Sequence, residues 1–135
     1  MAGDDVEIPL LASLSARERT SLLQHARKRT WAAEDIVVRE GDPGLNVFLI
    51  ASGHVRIGRE GNASVARLGP GDFFGELALI EDEPRTATVI ADDDLTCFLI
   101  PNWEFRSLLN EHPAIALPML KRVIARLHQL EHHGN

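Results

Sequence analysis

Residues 69–89 read Gly69-Pro70-Gly71-Asp72-Phe73-Phe74-Gly75-Glu76-Leu77-Ala78-Leu79-Ile80-Glu81-Asp82-Glu83-Pro84-Arg85-Thr86-Ala87-Thr88-Val89. Gly75 and Glu76 open a short apolar run, Leu77 to Ile80, long enough for one or two helical turns. A helix N-terminus offers unpaired backbone N–H groups and a partial positive charge, which suit an anion. Gly75 lets the backbone approach a ligand with no side chain in the way. Pro84 stiffens the chain before Arg85, whose planar donor fork matches two phosphate oxygens. Each such charge-assisted bond is worth roughly 1.5–3 kcal/mol. Glu76 can accept hydrogen bonds from a sugar hydroxyl. One carboxylate, one guanidinium and free amides are the parts needed to hold a sugar phosphate.

Working outward from this stretch, residues 35–101 carry short β-rich runs: Ile36–Arg39, Val47–Ala51, His54–Gly58, Ser64–Leu68, Thr86–Ala91 and Leu95–Ile100. Between them stand the turns Gly41-Asp42-Pro43-Gly44, Ser52-Gly53, Glu60-Gly61-Asn62 and Gly69-Pro70-Gly71-Asp72. Many short strands at close spacing predict a sandwich or jelly roll. Before them, residues 9–29 read as helical, with Ser15 as N-cap and Glu18 at capping-box spacing. Leu14, Leu22, Leu23 and Ala26 recur on one helical face, and Arg27-Lys28-Arg29 are cations placed at its C-terminus. After the strands, helices are expected over 102–131. Asn102 is read as a cap, with Trp103, Phe105, Leu108 and Leu109 apolar. Pro113 starts a further segment that Pro118 interrupts or kinks. Leu120, Val123, Leu127 and Leu130 then form a seam that can close over the roll or pair with a second copy.

Phe74-Gly75-Glu76-Leu77-Ala78-Leu79 followed by Pro84-Arg85-Thr86-Ala87-Thr88-Val89 resembles the phosphate-binding cassette of the cyclic nucleotide-binding domain family. Arg39-Glu40-Gly41-Asp42-Pro43-Gly44 and Ile50-Ala51-Ser52-Gly53 extend the resemblance over roughly residues 10–130. The Glu76-to-Arg85 spacing is similar to the kinase and gated-channel branches more than to the catabolite activator branch. The resemblance implies an α+β, mainly β fold: an eight-stranded antiparallel β-roll with an N-terminal helix, a short cassette helix within 74–89, and C-terminal hinge and lid helices. All 135 residues then form one domain.

For the ligand, the resemblance implies contacts from Phe74, Gly75, Glu76, Leu77, Ala78, Pro84, Arg85, Thr86 and Ala87. Glu76 would accept from the ribose 2′-hydroxyl, Arg85 would hold the cyclic phosphate, and Ala87 would add a backbone N–H. Thr86 occupies a place that is often alanine or serine in cyclic AMP sensors and threonine where cyclic GMP is preferred. The Ala- and Arg-rich composition points to a bacterial source, and on that ground cyclic AMP is expected over cyclic GMP. Aligned without gaps from Arg85, the hydroxyl residues that read adenine in the catabolite activator protein fall at Leu130 and Glu131. Capping of the base by Val123, Ile124, Leu127 or Leu130 is expected instead.

Other chemistry finds little footing. A net charge of −6 argues against a nucleic-acid-binding chain. Family transcription factors carry a C-terminal helix-turn-helix for which no residues remain here, so no direct DNA contact is expected. No apolar run approaches the ~20 residues of a membrane span. The single cysteine, Cys97, fits a buried thiol in a reducing compartment, and a cytoplasmic location is expected. Asp92-Asp93-Asp94 reads as a solvated turn, and His128, His132 and His133 as a solvated C-terminus, not as metal ligands. A cupin-type metal site needs a His-x-His pair, and the β region holds only His54. No nucleophile or acid–base pair is assignable. The expectation is a non-catalytic sensor of a cyclic nucleotide acting on an unknown effector, without metal or cofactor. The alternative is a degenerate roll that serves as an interaction or dimerisation scaffold.

Overall fold

The computed structural model describes residues 15–58, 66–75, 87–113 and 116–133. Helix α1 (Ala16–Gln24) leads into strands β1 (Arg27–Trp31), β2 (Ile36–Val38), β3 (Asn46–Ser52), β4 (Val55–Gly58), β5 (Ala66–Leu68), β6 (Phe73–Phe74), β7 (Thr88–Ala91) and β8 (Leu95–Pro101). Helices α2 (Asn102–Glu111) and α3 (Ala116–His133) follow. The strands form two four-stranded sheets, ordered β1-β8-β3-β6 and β2-β7-β4-β5, with every described pairing antiparallel. This is the expected β-roll.

Strand β3 shows why the runs read as they do. Val47 to Ala51 are all buried, because both faces of this central strand are covered. Phe48 and Ile50 point into the roll, where they meet Trp31, Val55, Leu68, Phe74, Val89, Leu95, Cys97 and Leu99. Val47 and Leu49 point outward and meet Phe73 and Ile100 beneath Phe105 and Leu108 of α2 and Met119 of α3. The two clusters divide one sheet's residues by the alternation of a strand. Leu23, Val123 and Leu109 pack on the outer cluster, so all three helices cover the same sheet face.

Three sequence expectations change, and one strand stands where none was expected. Arg27-Lys28-Arg29 are not cations at a helix end. They lie in β1, pairing with Leu99, Phe98 and Cys97 of β8. Pairing along β8 and burial of Trp31 decide this, while Arg27 to Thr30 stay exposed. Phe73-Phe74 is a strand, held by register with Leu49 and Phe48. Asn102 does not cap α2. Its Nδ2 donates instead to the Gly44 carbonyl (2.6 Å), a long-range bond that fixes the 39–45 loop to the helix start. Finally, Pro118 does not interrupt the last helix. It sits in the first turn of α3, where backbone N–H groups have no intrahelical acceptor and a proline costs nothing. The break between α2 and α3 falls earlier, between Glu111 and Ala116.

Candidate functional site

The borders of the 74–89 stretch are described, and its centre is not. Glu76, Leu77, Ala78, Pro84, Arg85 and Thr86 lie outside the described residues, as does the expected short helix. The fold does fix how the stretch is held at each end. On the entering side, Phe74 is buried inside the roll and its ring stacks on Phe48, centroids 4.6 Å apart. Gly75 follows with φ of 87°, a left-handed conformation that a side chain would strain. On the leaving side, Ala87 and Thr88 are half-buried and Val89 is buried. Phe74 and Val89 belong to the same interior cluster. The segment therefore leaves from and returns to one hydrophobic core.

Two motifs that lie far apart in sequence meet at this frame. The Glu40 N–H donates to the Thr88 hydroxyl oxygen (3.0 Å), so the Arg39–Gly44 loop is fastened to the first strand residue after the segment. Within that loop the Asp42 carboxylate accepts from the Arg39 N–H (3.1 Å), and Gly41 takes φ of 94°. The 69–72 turn is docked just as firmly. The Gly71 N–H donates to the Ile50 carbonyl and the Ile50 N–H to the Asp72 carbonyl, each at 2.9 Å. The Asp72 carboxylate closes the turn on the Gly69 N–H (3.1 Å). Backbone bonds thus set where Phe73, Phe74 and Gly75 begin.

Of the expected capping residues, Val123 is half-buried against the outer cluster and Ile124 is 43% exposed. Leu127 and Leu130 lie in the second half of α3, where side chains fall outside the described residues. Leu117, Leu120 and Ile124 form an exposed apolar stripe on α3. Sequence reasoning missed one contact of this helix: Arg122 Nη1 donates to Asp72 Oδ1 at 2.7 Å. No local pattern signals it, because fifty residues separate the partners.

The acidic turn after β7 has structural partners. Arg56 holds Asp92 (2.6 Å) and, through its other nitrogen, Glu34 (2.6 Å). That pairing keeps the Glu34 carboxyl below its ordinary range and raises Arg56 further. His54 Nδ1 lies 2.8 Å from Asp93 Oδ2, and the His54 N–H donates to Asp93 Oδ1 at 2.7 Å. Hydrogen bonds from His54 lower Asp93. Among the described residues no group of three His, Cys, Asp or Glu side chains is placed to hold a metal ion. Cys97 is fully buried, and burial pushes its thiol up to about 12, so it stays protonated and inert.

Two antiparallel sheets around an inner cluster, with helices on one outer face, define a β-roll in which Phe74 and Val89 share one core. The chain belongs to the cyclic nucleotide-binding domain family, whose profile matches residues 28–112. It is 38% identical over 103 residues to a cAMP-dependent protein kinase regulatory subunit of Hypocrea atroviridis, covering 76% of this chain and 22% of that protein. Against a cyclic nucleotide-gated potassium channel of Mesorhizobium japonicum it is 33% identical over 119 residues, covering 88% of this chain and 33% of the channel. The catabolite activator protein of Thermus thermophilus superposes with a TM-score of 0.75 at 27% identity, over 93% of this chain and 61% of that one. The chain thus spans about a fifth to a third of the length of the curated relatives named here. Among the described residues no helix is long and apolar enough to cross a membrane.

Proposed function

We propose that this chain is a non-catalytic sensor that binds a cyclic nucleotide, cyclic AMP in preference to cyclic GMP, and passes the binding event to its C-terminal helix. The observation that carries this reading is the anchoring of both ends of the 74–89 segment in one core, through Phe74 and Val89. Glu76 and Arg85 stand in that segment at the spacing of the kinase and channel branches. Arg85 would take the phosphate, Glu76 the ribose hydroxyl, and the amides of Gly75 to Leu77 and of Ala87 the remaining phosphate oxygens. Phe74 supports the cassette from within the roll. Leu77, Ala78, Pro84 and Thr86 would line the site around the sugar phosphate.

Signalling then follows as a population shift. A ligand moves the protein between two arrangements only by binding one more tightly. Drawing the cassette toward the phosphate favours the arrangement in which α3 covers the base, with Val123, Ile124, Leu127 or Leu130 supplying the cap. The break between Glu111 and Ala116 is the hinge. The effector would be another protein or another part of a longer chain, and the site of action the cytoplasm.

A second reading has one observation in its favour. The stripe of Leu117, Leu120 and Ile124 on α3 is apolar and exposed, and it suits a scaffold that dimerises through this helix without ligand. A thermal-shift titration separates the two. Cyclic AMP at ~100 times its dissociation constant adds about 2.7 kcal/mol of stability, with cyclic GMP needing more ligand for the same shift. A scaffold shows no shift with either nucleotide.

A further inference from the structure

Helix α3 is tied to two successive residues at the entry to β6, Asp72 and Phe73. Met119 is buried in the outer cluster that contains Phe73, and Arg122, one turn on, pairs with Asp72. Met119, Arg122 and Val123 lie on one helical face. Asp72 is 19% exposed and Arg122 45%, so the pair is partly shielded from solvent. Asp72 is itself immobilised: its other carboxylate oxygen accepts from the Gly69 N–H, and its carbonyl accepts from the Ile50 N–H. Gly75, where the cassette starts, is three residues further along.

Phe73 points to the outer, helix-covered face of the sheet, and Phe74 points into the roll. A helix seated on Phe73 therefore stands outside the interior that Phe74 and Val89 line. We infer that Asp72 and Arg122 form a latch that holds α3 in this outward seat and lowers affinity for the ligand. The inference rests on the proposed nucleotide-sensing reading. For α3 to cover a base, the Arg122–Asp72 pair and the Met119 contact must both be given up. Each contact that favours the outward seat reduces the fraction of molecules competent to close, and apparent affinity falls with that fraction. Asp72 and Arg122 are thus positioning residues. They set the response threshold without touching the ligand.

The test uses the full chain with cyclic AMP as probe. Hydrogen exchange over residues 116–125 and calorimetric affinity are measured for the wild type, Arg122→Gln, Asp72→Asn and Arg122→Lys. Asn at position 72 keeps an oxygen for the Gly69 N–H, and Lys at position 122 keeps the cation. Arg122→Gln and Asp72→Asn should each speed exchange in α3 and tighten cyclic AMP binding by about threefold, as suits a partly exposed ion pair. Measured alongside them, the double variant Arg122→Gln/Asp72→Asn should gain no more than either single one, and Arg122→Lys should stay near the wild type. Unchanged or weaker binding in Arg122→Gln overturns the latch. If the wild type and all variants bind neither cyclic AMP nor cyclic GMP, the nucleotide-sensing reading fails. The exchange data then decide the anchoring alone: faster exchange in Arg122→Gln upholds it, and unchanged exchange overturns it.

Discussion

The ring of Phe74 lies on the ring of Phe48 with 11° between their planes, and the two residues are also cross-strand partners in the β3–β6 register. Phe74 is the last strand residue before Gly75, so the stack joins the centre of the roll to the start of the cassette. Both rings are almost fully buried. Phe48→Ala should cost about 3–5 kcal/mol of unfolding free energy, since a buried ring leaves a cavity that the sheet cannot fill. Urea unfolding followed by tryptophan fluorescence measures this. A loss under 1 kcal/mol would show that the Phe48–Phe74 stack contributes little to holding the roll together.

Gly41 and Gly53 have almost the same backbone angle, φ of 94° and 89°, but different surroundings. A Cβ on Gly41 meets no atom within 4 Å. On Gly53 it would run into the Asp94 carbonyl oxygen and come within 2.8 Å of Leu95 Cα. Gly41→Ala should therefore cost about 1–2 kcal/mol, the left-handed penalty alone. Gly53→Ala adds backbone overlap in the β3–β4 and β7–β8 turns and should cost about 3 kcal/mol or more. Equal losses in the two variants would contradict this account.

Glu34 takes a left-handed φ of 72°, and its carboxylate is held by Arg56. The hydrogen bonds from Arg56, and then its charge, depress the Glu34 carboxyl below its ordinary value of 4.5. A depressed carboxyl stabilises the fold above its unfolded value, and that contribution disappears as pH falls through the lower folded value. Wild type and Glu34→Gln should thus differ by a constant margin at neutral pH. The margin should close below pH 4.5. Salt should narrow it as well, because Glu34 is exposed. A margin independent of pH would refute the pairing as its cause.

Much of the roll was legible because β3 is buried on both faces and shows as an unbroken apolar run, while β8 alternates buried and half-buried residues over a largely apolar stretch. Strand β1 left no such trace. Its first four side chains face solvent, and it exists through pairing with β8, which no local pattern reports. Asn102 does not use the accepting oxygen of a cap; its Nδ2 donates instead to the Gly44 carbonyl, a partner 58 positions away. The motif includes Phe74, Gly75 and Val89, but that Phe74 and Val89 share one core shows only in the fold. The Glu40–Thr88 bond and the Asp72–Arg122 pair could not be read from the sequence either, because both join segments that only the folded topology brings together.

Calorimetric titration of cyclic AMP into the wild type and into Arg85→Glu tests the central claim most directly. The guanidinium is the one side chain assigned to the phosphate, and reversing its charge opposes the anion while leaving the Phe48–Phe74 and Val89 anchors in place. The account predicts saturable binding of one nucleotide per chain to the wild type and no detectable heat with Arg85→Glu. Equal affinity in the two proteins, or no binding to a folded wild type, would contradict it.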